Sequence, residues 1–110
     1  MCDYQTLCYN NTSGYIISCN QCKTIQLAFG NVSISFFKSD FYGFQKWIER
    51  IWENTSTANA SLLRNIEVPL PSDGVRLILN HTELNQLYQM LNSAVIEMQS
   101  LELISLFEKN

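Results

Sequence analysis

The chain has 110 residues, of which 46% are hydrophobic and 15% are charged, and it contains four glycines and two prolines. These proportions are typical of one compact domain and exclude a disordered, collagen-like or multidomain chain. Seven basic residues against ten acidic residues give a net charge of −3, and the basic residues form no cluster, so we expect no nucleic-acid binding through phosphate contacts.

The N-terminal residues, 1–7, contain neither the basic stretch nor the apolar run of an export signal. No later apolar run is long enough to cross a bilayer. We therefore expect a cytoplasmic protein without membrane attachment. Thiols stay reduced in that compartment, which bears directly on the cysteines.

All four cysteines lie in the first 22 residues, at Cys2, Cys8, Cys19 and Cys22. Four clustered thiolates favour a tetrahedral, structural Zn²⁺ that would anchor residues 1–22 as an N-terminal arm. We therefore predict that all four are metal ligands. Only Cys19 and Cys22 have the two-residue gap of a zinc knuckle, and Lys23 stands where a knuckle commonly has glycine.

Two alternatives to zinc remain open for these cysteines. The first is that they are reduced, partly buried side chains without a metal. The second is a redox pair formed by Cys19 and Cys22. Redox chemistry is disfavoured because an alternating strand pattern follows Cys22, whereas a low thiol pKa is usually obtained at the start of a helix.

Residues 23–53 are predicted to form a strand, strand, helix unit, and a further strand is expected at 14–18. Alternation at Val32, Ile34 and Phe36 predicts a strand with one buried face. Spacings of three and four then predict a helix with apolar residues at Phe41, Phe44, Ile48 and Ile51. Ser39 is the expected N-cap of that helix.

A second unit of the same kind is predicted at residues 62–101, after a polar, flexible linker at 54–61. At an offset of 43 residues, Val75, Leu77 and Leu79 fall on the strand positions of the first unit. The helix positions fall on Leu84, Leu87, Leu91 and Ala94, and Thr82 aligns with Ser39 as the expected cap.

The two units together predict an α+β fold. One ββα unit cannot cover its own sheet, so we expect a tandem repeat that builds a two-layer domain over residues 1–110. Its antiparallel sheet would have four to five strands, with two helices on one face. The alternative is that two hairpins and two helices resemble each other by chance.

The tail, residues 102–110, is more apolar than a free terminus should be, with Leu103, Ile104, Leu106 and Phe107 close together. It is expected either to dock on the core of its own domain or to form a homodimer seam. Both interpretations stay open at the level of the sequence.

No catalytic residue is predicted. The lone histidine, His81, stands at a helix entry, where a zinc ligand or a base is conceivable and a surface position is the ordinary case. The sequence has no nucleophile elbow, no glycine-rich phosphate loop and no carboxylate pair placed for acid–base work.

The run GYIISCNQCKTIQLAFGN at residues 14–31 resembles a small, uncharacterised bacterial family, a domain of unknown function in which a C-x-x-C is followed by an L-A-F-G-N type segment. The resemblance implies a short, single-domain, cytoplasmic protein. It implies no activity and no catalytic residue, and it supports Cys19 and Cys22 as a pair.

We therefore predict a non-enzymatic interaction or regulatory module with a structural zinc, which acts on a protein partner or as a homodimer. No nucleic-acid, membrane or small-molecule partner is evident. The alternative is a thiol-dependent redox protein that uses Cys19 and Cys22. A weak nucleic-acid module would require four basic residues to converge on one face, namely Lys23, Lys38, Arg50 and Arg64.

Overall fold

The computed structural model describes residues 3–55, 64, 66–70 and 74–108. The elements in chain order are β1 (Tyr4–Asn10), β2 (Gly14–Cys19), β3 (Thr24–Phe29), β4 (Val32–Phe37), α1 (Lys38–Asn54), β5 (Ile66–Pro69), β6 (Arg76–Leu79) and α2 (His81–Glu108). The α+β prediction is confirmed, and so is a strand at 14–18. The helix α2 extends beyond the predicted second unit, which ended at residue 101.

The first four strands form one antiparallel sheet in the order β1-β2-β3-β4, and β5 and β6 form a separate two-stranded sheet. The expected arm therefore contains β1 and β2, which provide half of the main sheet. The ββα repeat is not confirmed, because the hairpins of the two predicted units lie in different sheets. Short turns connect consecutive strands from β1 to β4, and each strand pairs with the next. The main sheet therefore needs no strand from the second half of the chain.

The helices cover one face of the main sheet. Residues opposite one another in an antiparallel ladder point to the same side, and Ile16, Leu27 and Ile34 are opposite one another on the covered face. Leu84, Leu87 and Leu91 of α2 are fully buried above this face. The other face of this ladder carries no charged side chain and includes four exposed aromatic residues, Tyr4, Tyr9, Tyr15 and Phe37.

A β-bulge interrupts β1 between Thr6 and Cys8. Because the bulge adds one residue to β1, the side chains of Leu7 and Cys8 both reach the covered face. Leu7 is buried in the core, and Cys8 is half-buried against it.

The predicted helix caps are wrong. The helix α1 follows β4 with no residue between them, Phe37 takes the N-cap position without a side-chain hydrogen bond, and Ser39 already lies inside the helix. At α2 the cap is Asn80 and not Thr82, because the Glu83 N–H donates to Asn80 Oδ1 at 2.8 Å. The Asn80 N–H donates in turn to Glu83 Oε1 at 2.9 Å, which completes a capping box.

The two helices lie side by side and share aromatic and polar contacts. The rings of Trp52 and Tyr88 are stacked, with centroids 4.4 Å apart and planes 5° apart. Trp52 Nε1–H donates to Asn85 Oδ1 at 3.2 Å, and Gln45 Nε2–H donates to Asn92 Oδ1 at 2.7 Å. These contacts hold α1 against the N-terminal half of α2.

Residues 102–108 of the predicted tail form the last part of α2, a helix of 28 residues and so about 42 Å in length. Residues 102–107 are all exposed, so in this structure the tail does not dock on the core of its own domain. In the described ranges, no helix has the length and hydropathy that a membrane span requires.

Candidate functional site

The structure places the predicted metal ligands in two separate regions. Cys8 lies on the covered face opposite Ile16, whereas Cys19 lies at the end of β2, opposite Tyr4 and on the other face. Burial raises the pKa of the Cys8 thiol, which disfavours the thiolate that a metal needs. Cys8 is therefore not brought together with Cys19 and Cys22. Cys2 lies outside the described residues.

Cys19 and Cys22 are brought together by the turn that joins β2 and β3. The Cys22 N–H donates to Cys19 Sγ at 3.2 Å, and the Lys23 N–H donates to the Cys19 carbonyl at 2.9 Å. Lys23 has a φ of 58°, in the left-handed region that favours glycine. The turn therefore has the conformation that glycine after a knuckle cysteine would favour, although lysine occupies the position.

His81 does not belong to this region. It is the first residue of α2, whereas the turn of Cys19 lies near Met98 and Leu101 of the same helix. Seventeen residues of helix separate His81 from Met98 by about 26 Å. No group of three or more histidine, cysteine, aspartate or glutamate side chains within the part of the chain that the structure describes is placed to hold a metal.

The basic residues named in the nucleic-acid hypothesis do not all converge. Lys23 and Lys38 lie at the C-terminal half of α2, where Lys38 pairs with Glu102. Arg64 donates instead to Glu83, near the start of α2, with its Nη2 atom 3.0 Å from Glu83 Oε2. Nineteen helical residues, about 28 Å, separate the two acidic partners.

The C-terminal half of α2 has a second apolar face. At about 100° per residue, Ile96, Leu103 and Phe107 fall within about 40° of one another. They are 64%, 56% and 71% exposed. Ile104 and Leu106 flank them and are also exposed. We call these five residues the outward stripe. Its centre, at Ile96, Leu103 and Phe107, lies about 180° around the helix from the face that packs on the core, and Ile104 and Leu106 lie about 80° to either side of that centre.

A cavity of about 380 Å³ lies on the inward side of the same helix. The start of β1, the end of β2 and the start of β3 line it together with α2, and Lys38 of α1 stands at its edge. We call it the terminal cavity. The hydrogen bond to Glu102 raises the pKa of Lys38, because it stabilises the charged ammonium group. No sequence pattern predicted this cavity. The available signal is the polar character of Gln5 and Ser18 at strand positions that face the helices.

Comparison with known proteins gives a family and no characterised relative. A family model described as a family of unknown function matches residues 1–108. No curated protein and no solved structure matches the chain. Function therefore has to be argued from the outward stripe, the Cys19–Cys22 turn and the terminal cavity.

Proposed function

The chain belongs to DUF6686, a family of unknown function, and we propose that it is a non-enzymatic interaction module whose outward stripe on α2 binds a second copy of the chain. The observation that carries this proposal is the exposure of five large apolar side chains on one short stretch of helix. A helix that is apolar all round is normally buried on all sides. In a single copy, the last two turns of α2 instead meet water.

The chemistry of the stripe suits a second copy. Residues 103–107, Leu-Ile-Ser-Leu-Phe, contain no charged side chain, so two copies can approach without repulsion between like charges. Apolar residues at spacings of three and four can interlock with the same spacings on a symmetry-related helix. Three glutamates adjoin the stripe in the sequence, namely Glu97, Glu102 and Glu108. Of these, Glu102 is paired with Lys38 of its own chain.

The size of the stripe predicts a weak dimer. From Ile96 to Phe107 the helix rises about 16 Å, which is short for the interface of a tight complex. Each fully buried Leu, Ile or Phe contributes about 1.5–3 kcal/mol, and these side chains are already partly covered, so each contributes less. We expect a reversible dimer whose population rises with protein concentration.

Sedimentation velocity of the full chain across a broad dilution series tests this proposal. The wild type is expected to shift from monomer to dimer with concentration, and Leu103→Asp is expected to remain monomeric with an unchanged melting temperature. The matched control is Gln89→Asp, an exposed position on the same side of α2 but outside the stripe. A wild type that is monomeric throughout, or a Leu103→Asp variant that dimerises as the wild type does, would overturn the proposal.

A second candidate function concerns the turn of Cys19 and Cys22. We propose that these two cysteines provide half of a structural zinc site, and that Cys2 is the predicted ligand to be tested beside them. The N–H···S bond to Cys19 and the left-handed backbone at Lys23 support the proposal, because both suit a metal knuckle. The redox alternative lacks a helix start, since the turn leads into β3.

Zinc content of reduced, untagged protein tests this second candidate, with Cys8 as the internal control. The wild type and Cys8→Ser are expected to hold one equivalent of zinc, and Cys22→Ser is expected to lose it. Metal-free wild type would overturn the zinc proposal. Fast, reversible formation of a Cys19–Cys22 disulfide in that metal-free protein would favour redox chemistry instead.

A further inference from the structure

The terminal cavity has the size and lining of a small-molecule site. Its volume of about 380 Å³ lies within the range of known ligand pockets. Leu7, Ile25, Met98 and Leu101 give it an apolar wall. An apolar wall of this kind favours a ligand with a hydrocarbon part.

Two polar side chains, Gln5 and Ser18, line the cavity. Gln5 is opposite Ser18, and Ser18 is opposite the buried Ile25, so both polar residues are on the face covered by the helices. Both are half-buried, and no described residue forms a hydrogen bond with either side chain. Half-buried polar groups are normally satisfied by protein, water or ligand. Neither side chain has a fully buried, unpartnered polar atom, so water can satisfy both in the free protein, and a polar group on a ligand would take the place of that water.

The charge at the cavity favours an anion. Three charged side chains line it, namely Lys23, Lys38 and Glu102. Lys38 and Glu102 pair with each other, whereas Lys23 has no carboxylate partner in the described part of the chain. The side chains that line the cavity therefore carry a net charge of +1, although the net charge of the whole protein is −3.

The turn that closes on the Cys19 carbonyl fixes the backbone at Lys23 and places this residue in the lining of the cavity. The φ of 58° at Lys23 is one that glycine adopts without strain and that lysine adopts at a cost. A non-glycine residue held in this region is a reason to examine the function of its side chain. At this position the Lys23 ammonium group can bind an anion at the edge of the cavity.

From these observations we infer that the terminal cavity binds a small aliphatic carboxylate, with the hydrocarbon chain among Leu7, Ile25 and Met98 and the carboxylate near Lys23. This site is separate from the outward stripe, since it lies on the opposite side of α2. The inference therefore does not depend on the proposed dimer.

Three probes with the same hydrocarbon chain and different head groups test the inference, namely octanoate, octanol and octylamine. Amide chemical shifts of ¹⁵N-labelled full-length protein give both affinity and location. Octanoate is expected to shift the amide signals of Ser18, Lys23 and Ser105. It is expected to bind about 1.4-fold to fivefold more tightly than octanol, the range for one exposed ion pair. Octylamine is expected to bind more weakly than either.

Variants at Lys23 separate binding from folding. Lys23→Gln is expected to reduce octanoate affinity to that of octanol, and Lys46→Gln, an exposed lysine on α1, is expected to leave it unchanged. Lys23→Gly removes the charge and also the backbone strain, so it is expected to lower octanoate affinity without lowering the melting temperature. Equal binding of the three probes, no binding of octanoate, shifts confined to the outward stripe, or unchanged affinity in Lys23→Gln would overturn the inference.

Discussion

Asn80 and Glu83 cap α2 reciprocally, each donating a backbone N–H to the side chain of the other, at 2.8 Å and 2.9 Å. The Glu83 carboxylate also accepts two hydrogen bonds from Arg64, from Nε–H to Oε1 at 3.1 Å and from Nη2–H to Oε2 at 3.0 Å. One carboxylate therefore joins the start of the long helix to the segment that precedes β5. Two predictions test this arrangement.

The first prediction compares the observed cap with the expected one. Asn80→Ala should lower the free energy of unfolding by about 1 kcal/mol, because it removes the acceptor of the Glu83 N–H. Thr82→Ala should change it by less than about 0.5 kcal/mol, since Thr82 lies exposed inside the helix. Urea denaturation of both variants measures the difference, and an equal loss in the two would contradict the assignment of the cap.

The second prediction concerns pH. The hydrogen bond from Arg64 holds the pKa of Glu83 below its usual range, so its ionised form is favoured in the folded state. The stabilisation is present in full above the unfolded pKa, about 4.3, and is lost as the pH falls through the lower folded pKa. The advantage of wild type over Glu83→Gln should therefore be largest near neutral pH and shrink in acid.

Denaturant unfolding at neutral and acid pH measures this effect. In an Arg64→Gln background the pH dependence of the Glu83→Gln effect should weaken, because the main cause of the pKa shift is absent. An advantage of wild type that grows as the pH falls would contradict the assignment.

The third prediction concerns the contact between the helices. Trp52→Ala should destabilise the fold by about 2 kcal/mol, since it removes a half-buried ring stacked on Tyr88 and a hydrogen bond to Asn85. Trp52→Phe keeps an aromatic ring and should cost about 1 kcal/mol. Trp47→Ala is the control, because that ring is 43% exposed. In thermal unfolding, Trp52→Ala should lower the melting temperature most, Trp52→Phe less and Trp47→Ala least.

The fourth prediction contrasts two glycines. Gly14 has a φ of 146°, and a Cβ at this position would overlap the Ala28 carbonyl oxygen in the neighbouring strand. Gly14→Ala should therefore cost at least about 2 kcal/mol. Gly43 lies inside α1 with open space around it, so Gly43→Ala should stabilise the protein by about 0.5–1 kcal/mol. Equal effects in equilibrium unfolding would refute the structural distinction.

Local patterns were sufficient for most elements of the fold. Alternation predicted β3 and β4, and the spacing of Phe41, Phe44 and Ile48 predicted α1, because each pattern depends on one face meeting the core. The strand β1 was missed because its bulge breaks the alternation between Thr6 and Cys8. Which strands share a sheet was not predictable from these patterns, since pairing between distant segments depends on tertiary packing.

The candidate sites show the same division. The apolar character of Leu103 to Phe107 was evident from the sequence, but its outward direction depends on which face of α2 meets the core. The four cysteines are close together in the sequence, which made a common site plausible. In the sheet, however, Cys8 lies opposite Ile16, three residues along β2 from Cys19, and the two side chains are on opposite faces. The cap at Asn80 was readable as Asn-x-x-Glu, a capping box one turn long.

The order of strands in the main sheet has a consequence for how the chain folds. Every ladder pair from β1 to β4 joins residues at most 15 positions apart, as Tyr4 and Cys19 are, so the meander forms from local contacts, which favours rapid folding. The apolar side of β1, in contrast, is covered by α2. This helix is distant in the sequence, and its ion pair from Glu102 to Lys38 spans 64 positions. During synthesis, the apolar side of β1 therefore stays uncovered until α2 has been made.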